Sequence, residues 1–65
     1  MSIIEIEVRG TSTSNYKEAL VQATRSAEKS CANFVDLDEI ARFVEIDGET
    51  RRFGVTLKVT CLKSD

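Results

Sequence analysis

The pattern of the chain predicts an α+β fold: one β-α-β-β domain over residues 1–65, with a three-stranded antiparallel sheet in the order 1-3-2 and a single helix. Three observations predict it. Apolar residues alternate at both ends of the chain, a helical stripe of small residues lies between them, and an Asp-Gly pair stands late in the sequence. Joining the first two strands by a helical crossover makes them parallel. The third strand, returning through a hairpin, then pairs antiparallel with both if it lies between them.

The first strand is read from Ile4, Ile6 and Val8, which alternate with Glu5, Glu7 and Arg9. The run Gly10-Thr11-Ser12-Thr13-Ser14-Asn15 is read as a loop, since small and polar residues favour turns and caps. Gly10-Thr11-Ser12 before a helix has some of the character of an anion-binding turn, but without the lysine and glycine spacing of a phosphate loop it reads as a plain connection. From Tyr16 the period changes. Ala19, Leu20, Ala23, Ala27, Cys31 and Phe34 fall on one helical stripe, whose three alanines imply a close approach of helix to sheet. Asn15 is the expected N-cap, with Glu18 reaching back as in a capping box, and Asn33 the expected C-terminal cap in the left-handed conformation.

Residues 37–46 read as the second strand, with Ile40, Val44 and Ile46 on one parity and Leu37, Ala41 and Phe43 on the other, as though both faces were covered. Asp47-Gly48 is the hairpin signal. Phe53, Val55, Leu57, Val59 and Cys61 then alternate cleanly with polar residues, the regularity of a central strand. Arg51-Arg52 reads as a solvated flank of the hairpin.

Composition narrows function. A chain of 65 residues is too short for a large enzyme, and domains of this size usually need a disulfide, a metal or association to be stable. Two cysteines and no histidine exclude a tetrahedral zinc site. Small secreted scaffolds carry more cysteines than this, so Cys31 and Cys61 are expected to be buried thiols in a reduced, cytoplasmic protein. A Met1 start with no charged-then-apolar leader fits the same expectation. Association is left as the expected staple, supported by two unpaired sheet edges. A net charge of −2, with 9 basic against 11 acidic residues, argues against nucleic-acid binding, and no apolar run is long enough for a bilayer.

Without histidine or a nucleophile–base pair, no catalytic residue is identified and the chain is read as a non-enzyme. Asp36, Asp38 and Glu39 are the metal candidates, as hard oxygen donors for Ca²⁺ or Mg²⁺ at short spacing. The other reading of that cluster is a solvated acidic edge.

Taken together, the first strand, the Gly10-Thr11-Ser12 turn, the helix striped by Ala19, Ala23 and Ala27, Asn33 at its end and the closing Val55-Thr56-Leu57-Lys58-Val59 resemble the dodecin family. The likeness covers nearly the whole chain, without a gap through Val44-Glu45-Ile46 and with a one-residue deletion in the hairpin turn. The resemblance implies a sheet wrapped on the helix and a hollow homododecamer that binds or stores FMN or riboflavin. In that family, flavins stack in pairs between tryptophans of neighbouring subunits at the start of the second strand, and a glutamine on the third strand hydrogen-bonds the ring. The positions that match these are Val35 or Asp36 for the tryptophan and Gly54 for the glutamine, while Glu45 matches a position near the ligand's polar chain. The stacking platform is therefore absent here, and base–aromatic stacking is worth roughly 1–3 kcal/mol per contact. Two function classes follow: a small-ligand binding and storage shell, for flavin or for another ligand or cation at Asp36, and a structural shell without flavin.

Overall fold

A computed structural model describes residues 2–63; Met1, and with it the reading of the chain's start, lies outside them. The elements run β1 (Ser2–Ser12), α1 (Tyr16–Ser30), β2 (Phe34–Asp47) and β3 (Thr50–Lys63). The strands form one antiparallel sheet in the order β1-β3-β2, with Ile6 opposite Val59 and Val44 opposite Phe53, as the crossover argument requires. The two outer strands run parallel to each other, α1 runs back along them, and β3 returns between them.

Alternation on β3 decides which face is packed. Val55, Leu57, Val59 and Cys61 are buried against Ala19, Ala23, Ala27 and Cys31, and Ile4, Ile6, Val8, Tyr16 and Leu20 close the sides of this core. The alanine stripe brings helix and sheet close together, and the closest point is Gly10. A β-carbon there would lie 2.1 Å from the Ala19 carbonyl oxygen and 2.3 Å from the Ala23 nitrogen. Gly10 is thus needed for lack of a side chain, not for a turn. Contrary to the sequence reading, Gly10, Thr11 and Ser12 remain in β1, paired with Val55, Gly54 and Phe53, and the connection to the helix is only residues 13–15.

The helix starts where its cap predicts and ends early. The Asn15 side chain accepts the Glu18 amide at 2.8 Å. Glu18 does not complete a capping box; its carboxylate accepts the Ser12 hydroxyl at 2.9 Å and ties the end of β1 to the first helical turn. The C-cap is Cys31 in extended conformation, and among the described residues no non-glycine residue has positive φ, so Asn33 is not a left-handed cap. Phe34 belongs to β2 instead of the helical stripe. The hairpin turns through Gly48 and Glu49 between the paired Asp47 and Thr50, with Gly48 at φ 62°, which suits glycine at the first central position of a tight turn.

The helix packs on β1 and β3, leaving β2 beyond it. Fifteen helical residues span about 22 Å and a strand of fourteen about 46 Å. The hairpin therefore projects past the helix, and the molecule measures 47 × 17 × 15 Å. Two register shifts, between Phe34 and Asp36 and between Glu39 and Ala41, insert extra residues into β2. They account for the imperfect alternation seen in its sequence. Every residue of β2 except Phe43 is exposed, so neither face of this strand is covered within one chain.

Candidate functional site

The four positions singled out for a ligand lie at two ends of the sheet. Val35 is the extra residue of the first bulge, and Asp36 follows it opposite Thr60. Glu45 stands opposite Arg52, with its carboxylate 4.0 Å from the guanidinium, and Gly54 pairs with both Phe43 and Thr11. Nine residues of extended strand separate Asp36 from Glu45, about 30 Å. Glu45 and Gly54 are near neighbours, but within one chain Val35 and Asp36 do not join them.

Gly54 is on the face of the sheet that turns away from the helix, yet it is buried. The cover is the ring of Phe43, whose carbons would lie 2.2 Å from a β-carbon placed at Gly54. The Arg9 guanidinium sits 5.0 Å from the centre of the same ring, a cation–π contact that closes the stack from β1. On the opposite face, Tyr16 meets Phe53 edge-on with ring centres 5.0 Å apart, and Arg42 lies 5.4 Å from the Tyr16 ring. Sequence patterns do not show these aromatic and arginine groupings, because Arg9–Phe43 joins two strands and the Tyr16 contacts join the helix to two strands, and neither register nor packing is encoded locally. The polar alternation of Arg9 and the aromatic parity of Phe43 were the available signals.

The acidic group divides across the sheet. Asp36 and Asp38 face Thr60 and Lys58, whereas Glu39 pairs with Leu57 in register and turns to Arg42. Arg42 donates from Nε to Glu39 Oε1 and from its terminal nitrogen to Oε2 at 3.4 Å. These hydrogen bonds hold the Glu39 carboxyl below its ordinary pKa. Lys58, ion-paired with Glu5 at 3.3 Å, stands opposite Asp38, a cation where a metal shell needs another anion. Among the described residues no three acidic or cysteine side chains converge on a point that suits a metal ion.

The cysteines correct an expectation. Instead of two separate thiols, Cys31 and Cys61 form a disulfide with Cα atoms 6.0 Å apart, inside the range the bond requires. The sequence pattern puts Cys31 on the packed stripe of the helix and Cys61 on the packed face of the last strand. Their height along the sheet is set by the tertiary structure: the helix runs back beside β1, so its end meets the end of β3. A groove of about 340 Å³ opens at this junction, with Ile4, Leu62, Asn33 and Lys63 among its walls and both cysteines in its lining. A smaller hollow of about 140 Å³ lies between Glu45, Asp47, Thr50 and Arg52 near the hairpin.

Comparison of the chain with family models and with curated proteins finds no match. Among the described residues no helix is long and apolar enough to cross a membrane. Among the described residues the geometry holds aromatic–cation stacks, the groove and the smaller hollow, and a long strand with no helix over it.

Proposed function

We propose that this chain is one tile of a non-enzymatic, dodecin-like homo-oligomeric shell, a homododecamer by the resemblance, that binds or stores a small ligand between its subunits. The observation that carries this reading is β2. Its Leu37, Ile40, Val44 and Ile46 are 38%, 46%, 43% and 71% exposed, on a strand with one unpaired edge and no helix over it. Apolar surface on a bare edge favours another chain as its cover. The separation of Val35 and Asp36 from Glu45 and Gly54 supports the same reading, since a ligand touching both groups needs more than one chain.

FMN or riboflavin is the ligand the resemblance names. A second reading, a structural shell without flavin, is favoured by the Phe43 ring over Gly54 and by Asp36 at the start of β2. A carboxylate against a flavin ring adds a desolvation cost and contributes no stacking. Light scattering on a sizing column tests assembly; a stable monomer refutes both readings. Titration of FMN and riboflavin with fluorescence detection separates them, quenching supporting storage and unchanged emission at micromolar protein supporting the structural shell. A cytoplasmic setting belongs to the same proposal, and the state of the Cys31–Cys61 bridge in freshly lysed cells tests it, because the cytosol keeps most thiols reduced.

A further inference from the structure

We infer that the Cys31–Cys61 bridge is a thiol–disulfide exchange site, entered by a small anionic thiol through the adjoining groove, with Cys31 as the sulfur attacked. Three features carry this. The bridge sits at the edge of the buried core, where a groove of about 340 Å³, a size suited to a small molecule, has both cysteines in its lining. Among the described residues the groove's lining includes one charged side chain, Lys63, so an approaching thiolate meets a cation there. The two cysteine residues are also unequal. Cys31 caps the helix and keeps 6% exposure, whereas Cys61, on the central strand, keeps 1%.

The chemistry balances with a low-molecular-weight thiol as reductant. Its thiolate attacks the Cys31 sulfur, the Cys31–Cys61 bond breaks, and Cys61 leaves as a thiolate that takes a proton from water. Cys31 then carries a mixed disulfide. A second thiolate attacks the outer sulfur of that adduct and releases the oxidised small disulfide, leaving Cys31 as a thiol. Two electrons have passed to the bridge and two small thiols have been oxidised. Run backwards with the small disulfide as oxidant, the same steps reclose it. The inference concerns a single chain and does not depend on the shell reading.

The test uses the full chain with glutathione as probe. Protein purified without reductant is first alkylated to show that the bridge is closed, then incubated with reduced glutathione without denaturant, trapped with N-ethylmaleimide and mapped by mass spectrometry. The expected product carries glutathione on Cys31 and maleimide on Cys61, with an unchanged circular dichroism spectrum. Cys61→Ser and Cys31→Ser are then exposed to oxidised glutathione, and the adduct on Cys31 is expected to form at least about tenfold faster than that on Cys61. If a variant fails to fold, the wild-type mapping decides alone. A bridge that is open from the start, that opens only in denaturant, or that yields an adduct chiefly on Cys61 overturns the inference.

Discussion

Replacing Gly10 with alanine asks whether the contact between helix and sheet positions α1. A methyl group there would sit 2.1 Å from the Ala19 carbonyl oxygen and 2.3 Å from the Ala23 nitrogen, where ordinary contact begins near 3.4 Å. Both are backbone atoms, so no side-chain rotation relieves the overlap, and the helix has to retreat by roughly 1.3 Å. A gap of that size forfeits about half of the dispersion attraction along the contact. Ala19, Ala23 and Ala27 are fully buried against that surface, so the loss spreads along the stripe. We expect about 3 kcal/mol, the upper end for an overpacked core. With an unfolding entropy near 2.1 cal/mol/K per residue, that lowers Tm by about 20 °C. Gly54→Ala is the matched control, because there the three atoms nearest the β-carbon are ring carbons at the far end of the half-buried Phe43 side chain, which can shift more readily than backbone, at the cost of the Arg9 contact. Alanine is also the better strand residue, so a net cost below about 1 kcal/mol is expected. Thermal melts followed by circular dichroism at fixed protein concentration read both. A Gly10→Ala variant melting within about 5 °C of wild type, or a Gly54→Ala variant equally damaged, refutes the account.

Other predictions rest on separate parts of the molecule. The Cys31→Ser/Cys61→Ser double variant removes a crosslink spanning 30 residues, worth about 3.6 kcal/mol by loop entropy, and urea unfolding should register most of that loss; equal midpoints would show that the bridge contributes nothing. Asn15→Ala deletes the acceptor for the Glu18 amide and should cost about 1 kcal/mol, whereas Asn15→Asp should melt near wild type. The Glu39 carboxyl, held below its ordinary value near 4.5 by Arg42, should titrate lower in wild type than in Arg42→Gln by NMR. Because its pKa is depressed in the folded state, the pair's contribution is present above pH 4.5 and is lost as pH falls through the lowered value; identical titrations in the two proteins would dissolve the pair. If the wild type assembles as proposed, Val44→Glu with Ile46→Glu on β2 should lower the mass seen by light scattering while leaving the circular dichroism spectrum unchanged; an oligomer of unaltered mass would refute β2 as its contact surface, and a monomeric wild type would refute assembly itself.

Much of the fold was legible because period and punctuation agree. The alternation of Ile4, Ile6 and Val8 and of Val55, Leu57 and Val59 marks two strands whose inner face is buried by the helix. Asp47-Gly48 marks the turn, and Asn15 marks the start of the helix. The errors fall where a tertiary contact outweighs local preference. Gly10, Thr11 and Ser12 have the composition of a loop, but pairing with β3 keeps them extended. Phe34 continues the helical stripe on paper, yet the helix stops at Ser30 and Phe34 pairs with Cys61. The candidate site was less legible. Asp36, Asp38 and Glu39 are close in sequence, but strand alternation sends Asp36 and Asp38 to the face of Thr60 and Lys58 and Glu39 to the other, where the bulge that follows brings Arg42 onto the same face.

The sequence by itself determined the order of elements, the central place of the third strand and the close seat of an alanine-striped helix, because each follows from side-chain period, turn chemistry or side-chain size. Tertiary structure alone decided which distant residues meet. The direction of the helix brings its C-terminus to the end of β3 and joins Cys31 to Cys61. The register of β2 lays Phe43 over Gly54, and the width of a single helix leaves that strand bare. Periodicity assigns a residue to a face, but its partner depends on how far elements run and where they cross, which no local pattern encodes.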